Sequence, residues 1–177
     1  MTMAWGRPLS TRCGHFRREK RTLEADVRQR PLRTFRRGHM GLLVFNLICI
    51  AAALIEDEDG RVFLVRKRGT AAFMQAGGKI EGSETPYQAL ARELTEELNF
   101  TPTEDEARFL GTFSCQAANE QDHLLEAHLF HIRTNREFAV AAELEESVWI
   151  SVDAANGLQL APFTREHVLP LARAMRA

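Results

Sequence analysis

The chain has 177 residues, is 45% hydrophobic and 27% charged, and its 23 basic and 24 acidic side chains leave a net charge of -1. One domain is the default partition at that length, and no run of about 18 or more apolar residues exists to span a bilayer. The three cysteines, Cys13, Cys49 and Cys115, are odd in number and form no CxxC pair, which argues against a disulfide framework and for plain thiols in a reduced, cytoplasmic setting.

Charge is unevenly spread along the chain. Residues 1–39 hold 11 basic against three acidic side chains, a net of +8, which leaves 12 basic against 21 acidic and a net of -9 for the remainder. Three readings compete for this arm: a tail for nucleic acid or an anionic surface, an Arg-rich organellar presequence, or sequence upstream of a natural start at Met40. The last is favoured, because Met40 directly precedes the apolar run Gly41-Leu42-Leu43-Val44-Phe45. With little apolar periodicity and with Pro8 and Pro31, residues 1–39 are expected to be a basic, poorly ordered extension of a domain at 40–177.

The elements of that domain follow in order. An apolar run over residues 44–55, the charged turn Glu56-Asp57-Glu58-Asp59-Gly60 and a second run over 61–66 predict a β-hairpin, with Asp59-Gly60 as its turn. The segment Gln75-Ala76-Gly77-Gly78-Lys79 reads as a loop in which two glycines let backbone approach a ligand closely and a cation suits phosphate oxygens. Thr85, Pro86 and Gln88 form a helix-start signature, and Tyr87, Leu90, Ala91, Leu94 and Leu98 supply its apolar stripe. Further strands are expected over 109–115, 124–132 and 148–152. A last helix is expected over 164–175, with Val168, Leu169, Leu171, Ala172 and Met175 buried and with Pro170 as an irregularity.

The helix after Pro86 carries an unusual acidic face. Glu93, Glu96 and Glu97 fall within one turn and project to one side. Like charges at this spacing repel by a few tenths of a kcal/mol per pair, and the C-terminal half of a helix disfavours anions. Local energetics oppose the cluster, and a divalent cation with hard oxygen ligands, Mg²⁺ or Mn²⁺, would reverse the sign.

The whole segment 78–100 resembles the Nudix box: Gly, five residues, Glu, seven residues, Arg-Glu, an aliphatic residue, any residue, Glu-Glu, any residue, Gly, aliphatic. Gly78, Glu84, Arg92, Glu93, Leu94, Glu96 and Glu97 match it, with Phe100 as an apolar stand-in at the last position. Asn99 stands where the family has glycine, at a helix end that calls for a left-handed residue, a conformation asparagine tolerates.

The resemblance implies an α/β fold, the family's α/β/α sandwich around a mixed β-sheet, and divalent-metal hydrolysis of a nucleoside diphosphate linked to another moiety. It implies Glu93, Glu96, Glu97 and the Gly77 carbonyl as metal ligands, Arg92 as the residue that orients the carboxylates, and Glu84 as a residue that either acts through a water or supports the loop. The general base varies in the family between a box glutamate and one from a later loop. Glu143, Glu145 and Glu146 are candidates for the later one, with Glu143 preferred and a solvated acidic turn as the plain alternative. Lys67, then Arg66, resembles the cation that MutT-type members present to substrate phosphates, against the alternative of a solvated basic turn; Lys79, in the glycine loop, is a separate cation suited to phosphate oxygens. Phe163 and Thr164 lie where those members contact the base. Thr164 replaces their asparagine and is also a candidate helix cap, and core packing is the alternative for Phe163.

Substrate choice rests on exclusion. The neighbourhood sixteen residues beyond the box, Ser114-Cys115-Gln116-Ala117, lacks the proline typical of ADP-ribose-cleaving members, and the NADH-type signature SQPWPFPxS is absent. A nucleoside triphosphate, damaged or not, cleaved to monophosphate and pyrophosphate is the leading expectation. A nucleotide-binding regulatory module that does not hydrolyse and a Nudix-fold diphosphate isomerase are the alternatives. A small-molecule nucleotide partner, no nucleic acid, no membrane and, as often in the family, a homodimer complete the expectation. His128 and His131 are an odd number of positions apart on a predicted strand, which opposes a zinc site. Phe113, Phe130 and Phe138 read as core.

Overall fold

The computed structural model describes residues 34–35, 43–44, 46–116, 123–141 and 143–176. The expected basic extension at 1–39 therefore lies almost wholly outside the described residues. Of it, strand β1 (Thr34–Phe35) pairs antiparallel with β2 (Leu43–Val44). Glu120, which on sequence grounds either lines the cleft or faces solvent, also lies outside the described residues.

A seven-stranded mixed sheet forms the centre of the domain. It is built from β3 (Asn46–Glu56), β4 (Val62–Lys67), β5 (Phe73–Met74), β6 (Gly77–Lys79), β7 (Arg108–Gln116), β8 (His123–Arg133) and β9 (Leu144–Ile150). The main order is β5-β4-β3-β8-β7, with β6 joined to β3 and β9 to β4. Only β3 and β8 run parallel, in unbroken register from Asn46↔His123 to Glu56↔Arg133. Such a pair needs cover on both faces, which explains the continuous apolar run of β3. Ala51, Ala53 and Ile55 face one core, and Ala52 and Leu54 face the other.

Each face is closed by a helix. On the first, α1 (Pro86–Leu98) buries Leu90, Leu94 and Leu98 against Ile55, Phe63 and Val65. Phe138, as expected, joins this core by packing on Phe63 and Trp149. On the second, Val168, Leu169 and Ala172 of the closing helix meet Leu54, Leu64 and Leu129. The result is the α/β/α sandwich around a mixed sheet that the resemblance implied. No helix among the described residues is long and apolar enough to cross a membrane.

Three elements depart from the sequence expectation. The segment around Gly77 and Gly78, expected as a loop, is strand β6, paired through Ala52↔Gly77, Ala51↔Gly78 and Ile50↔Lys79. Strand β9 begins at Leu144 rather than 148, because Glu145 and Glu146 find Arg66 on the neighbouring strand. The last helix is not regular. A π-turn (Thr164–Val168), in which the Leu169 N–H reaches the Thr164 carbonyl, leads into α2 (Leu169–Ala174). The wide turn ends directly before Pro170, whose lack of an N–H removes one ordinary helical bond.

Candidate active site

The phase of the acidic face is fixed by the start of α1. The Thr85 hydroxyl accepts from the Gln88 N–H at 3.2 Å, and the Gln88 side-chain oxygen accepts from the Thr85 N–H at 2.9 Å. This reciprocal cap satisfies two otherwise orphaned donors and pins the first turn. From that start, Glu97 falls next to Leu98 on the buried side of α1, and it is only 1% exposed.

Burial of a carboxylate demands compensation. Glu97 receives one neutral hydrogen bond, from the Gly77 N–H to Oε2 at 2.9 Å, while Oε1 is buried without a hydrogen-bond partner. Lys67 Nζ stands 3.5 Å from Oε1. Burial nonetheless dominates and pushes the Glu97 pKa up to about 7, despite the Gly77 hydrogen bond and the Lys67 charge. An acidic oxygen desolvated beside further carboxylates is a site that favours a cation.

The two glycines of β6 permit this closeness. Gly77 has φ 133°, and a Cβ there would fall 2.2 Å from the Ala51 carbonyl oxygen. Gly78 is excluded from any substitution by function of space alone, since a Cβ would lie 2.3 Å from the Glu93 carboxyl carbon. The glycine pair thus brings strand β6 flush against both β3 and the acidic face of α1.

Arg92 organises the same face. It donates through Nε to Glu84 at 2.8 Å, through one terminal nitrogen to Glu93 at 2.8 Å, and through the other to the Lys79 carbonyl at 3.0 Å and to Glu84 at 3.1 Å. Glu96 lies 3.7 Å from the guanidinium. The hydrogen bond from Arg92 leads the causes that hold the Glu84 carboxyl below its usual range. Planar forked donors suit this task in a way an ammonium does not.

Lys67 links two carboxylates from distant parts of the chain. It is bonded to Glu143 and faces Glu97. Burial works against its charged form, yet Glu143 and Glu97 outweigh that effect and raise its pKa. Arg66, the second candidate, is instead clamped by Glu145 at 2.9 Å and Glu146 at 2.8 Å. Neither Lys67 nor Arg66 belongs to a merely solvated basic turn.

Of the sequence-predicted residues, Gly77, Gly78, Lys67, Glu84, Arg92, Glu93, Glu97 and Glu143 come together through direct contacts. Glu96 is half exposed at the rim. Glu93, Glu96 and Glu97 do not form a ready three-ligand cluster, and no such group occurs among the described residues. Arg92 holds the first two, while Glu97 turns toward Gly77 and Lys67. The donor set still fits a hard divalent ion: it is all oxygen, densely anionic, and includes the orphaned Glu97 Oε1. Lys79 lies on β6 beside this group, its carbonyl held by Arg92.

Phe163 and Thr164 sit elsewhere, at the start of the closing helix. Phe163 is 5% exposed and packs on Phe113 and His167 in the second core. Thr164 is fully buried and does not cap the helix. Its hydroxyl lies 3.4 Å from both the Phe73 carbonyl and the Gln75 side-chain oxygen. His128 and His131 belong to separate clusters on β8, with His131 Nε2 3.0 Å from Glu56.

Comparison with known proteins identifies the family. The NUDIX domain family matches residues 48–172 of the chain. The chain belongs to the Nudix family. Among Nudix relatives, the CTP pyrophosphohydrolase of Escherichia coli (strain K12) is 31% identical over 121 residues, covering 66% of this chain and 85% of that protein. An 8-oxo-dGTP diphosphatase of the same organism is 42% identical over 57 residues, covering 30% of this chain and 44% of its own length. The MutT protein of Methanosarcina mazei Go1 superposes with a TM-score of 0.62 at 19% identity, over 75% of this chain and 96% of that one, a likeness of fold. This Nudix chain is accordingly a hydrolase of the diphosphatase and pyrophosphohydrolase class.

Proposed function

We propose that this Nudix hydrolase cleaves nucleoside triphosphates to monophosphate and pyrophosphate with Mg²⁺ as its metal. The observation that carries the reading is the buried, half-satisfied Glu97 carboxyl, whose free oxygen lies among Lys67, Glu93 and the Gly77 backbone. A relative over most of the domain is named a CTP pyrophosphohydrolase, which supports a triphosphate. Glu93 and Glu97 would hold the ion, with Glu96 and the Gly77 carbonyl completing the protein's share. A bound divalent ion neutralises diphosphate charge and lowers the pKa of a water.

The chain's own residues supply the rest. Arg92 fixes the Glu93 carboxylate and, through Glu84 and the Lys79 carbonyl, ties the loop before α1 to the helix. Lys67 places a cation between Glu97 and Glu143, where it can meet a phosphate oxygen once substrate displaces one carboxylate. Glu143, more than half exposed and adjacent to Glu97 through Lys67, would accept a proton from the attacking water.

The test is direct. Purified protein with Mg²⁺ and a panel of nucleotides is assayed for pyrophosphate and phosphate release. Pyrophosphate should appear with a triphosphate, and Glu97→Gln should abolish it while the protein stays folded. Full turnover by Glu97→Gln, or phosphate as the sole product, would overturn the assignment.

A further inference from the structure

Strand β9 carries one residue too many for its partner. From Val62↔Ile150 to Arg66↔Glu146 its pairing with β4 is regular, but the next pair is Lys67↔Leu144, so Glu145 has no residue opposite it. A bulge of this kind bends the strand and re-aims the side chains beside it. In an unbroken strand Leu144 and Glu146, two positions apart, would share a face. Here they part: Leu144 is buried in the core beneath α1, whereas Glu146 is half exposed and meets Arg66.

Arg66 closes the bulge from the neighbouring strand. One terminal nitrogen donates to Glu145 and to the Thr70 carbonyl, each at 2.9 Å, while Nε and the other terminal nitrogen donate to Glu146 at 3.1 and 2.8 Å. A single guanidinium thus holds the extra residue, its neighbour and the turn after β4. An isolated surface ion pair contributes little, but this side chain is only 21% exposed and works as a planar fork with several acceptors. An ammonium has no such fork.

The effect reaches the acidic site through the backbone. Beyond the bulge, the Arg68 N–H donates to the Glu143 carbonyl at 2.8 Å, the Leu144 N–H to the Ala141 carbonyl at 3.1 Å, and the Ala141 N–H to the Glu97 carbonyl at 2.8 Å. These bonds seat Glu143 where its carboxylate meets Lys67, which also faces Glu97. Continuing the regular pairing by one residue would put Glu145 opposite Lys67 and turn Leu144 out of the core. Glu145 is kept from that place by Arg66.

We infer that Arg66 is a positioning residue for hydrolysis: by holding Glu145 and Glu146 in the bulge it fixes the register of β9 and seats Glu143 against Lys67, beside Glu97. This rests on the reading of Lys67 and Glu143 as members of the hydrolytic site. Arg66 acts only through that seat.

The experiment compares wild-type protein with Arg66→Met and Arg66→Lys, each alone and combined with Glu143→Ala. Pyrophosphate release with Mg²⁺ is followed on the most rapidly cleaved of CTP, UTP, GTP and ATP. In Arg66→Met kcat should fall about tenfold, as for other groups that orient functional side chains, and Arg66→Lys should recover little of the loss. Added to Glu143→Ala, Arg66→Met should lower kcat by less than about twofold more, because the seat then holds no carboxylate. A merely structural arginine would give the full loss in both backgrounds, and that result would overturn the inference. Arg173→Met, which removes an exposed pair with Asp153, is the control, and an equal loss there would overturn it too.

Amide hydrogen exchange at Arg68 reads the seat without any substrate. It should quicken by about tenfold in folded Arg66→Met, while the Ala53 amide, bonded to the Ala76 carbonyl, should exchange as in wild type. Unchanged exchange at Arg68 would refute the role of Arg66 whatever the kinetics. Should wild-type protein cleave none of the four nucleotides, the triphosphatase reading fails by itself, and the exchange at Arg68 still decides whether Arg66 seats Glu143.

Discussion

Gly78 and Glu93 approach so closely that a β-carbon on the glycine would fall 2.3 Å from the carboxyl carbon of the glutamate. No side chain, however small, fits there without moving Glu93 or strand β6. Gly78→Ala should therefore act as a catalytic mutation although it removes no functional group. A loss of about 100-fold or more in kcat is expected from a misplaced carboxylate, with a stability cost of about 1–3 kcal/mol from overpacking. Chemical denaturation beside the pyrophosphate assay separates the two effects. Near-wild-type turnover would show that Glu93 has freedom the packing does not suggest.

Glu97 ties stability to pH. Its folded-state pKa of about 7 lies above the ordinary 4.5, so the native state binds the proton more tightly than the unfolded chain. The stabilisation from that proton is fully present below about pH 4.5 and is lost as pH rises through about 7. Relative to Glu97→Gln, wild-type protein should lose on the order of 2–3 kcal/mol between pH 4.5 and 8. Mg²⁺ should reverse the trend, raising the melting temperature more at pH 8 than at pH 5, because only the ionised carboxylate is a ligand. Equal Mg²⁺ shifts at the two pH values would disconnect Glu97 from the metal.

Arg92 makes four hydrogen bonds whose geometry depends on a planar fork. Arg92→Lys keeps the charge and loses most of them, so it should behave nearly as badly as Arg92→Ala. Both should reduce kcat by about 10- to 100-fold, in the range typical of groups that orient ligands. A lysine variant with wild-type kinetics would mean that charge alone suffices.

Much of this site was legible before any coordinates, and the reasons are local. The Thr85, Pro86 and Gln88 signature fixed the start of α1 because capping acts within one turn. The 3.6-residue period then placed Leu90, Leu94 and the acidic face. Strand β6 was not legible, because three residues with two glycines carry no strand propensity and pair only where β3 offers its edge. The contact of Lys67 with Glu97 and Glu143 joins residues 30 and 76 positions apart, a relation no spacing rule encodes. The early start of β9 likewise depends on Arg66 facing Glu145 and Glu146 across strands. Burial of Gln75 had no sequence signal at all, since glutamine is usually exposed.

Asn99 offers a stability test independent of chemistry. It is the one non-glycine described residue with positive φ, at φ 51° and ψ 37°. The Phe100 N–H reaches back to the Leu94 carbonyl at 3.2 Å, closing the end of α1. Glycine, the residue of the family pattern, adopts that conformation freely, so Asn99→Gly should stabilise the protein by about 0.5–1 kcal/mol. Asn99→Ala should destabilise it by about 1 kcal/mol. Urea titrations should rank the three proteins Gly, Asn, Ala, and any other order would point to a role for the asparagine side chain.

The far end of the sheet is closed by a pair that sequence separation hides. Glu56 is 7% exposed, accepts from Arg176 Nε at 2.7 Å, and faces His131 Nε2 at 3.0 Å. Removing Arg176 leaves that carboxylate buried with the imidazole alone, and its partner is about one-third exposed, which moderates the loss. Arg176→Ala should cost about 1–2 kcal/mol while leaving hydrolytic activity unchanged, since Glu56 ends β3 four residues beyond Ala52, the partner of Gly77, and touches none of the acidic-site residues. Replacing Glu56 by Gln in the same protein should recover part of the loss, because a neutral amide tolerates burial better than an unpaired carboxylate. A double variant no better than the sum of the singles would mean that Arg176 stabilises through packing over Gly60, 3.1 Å from where its Cβ would stand, rather than through charge.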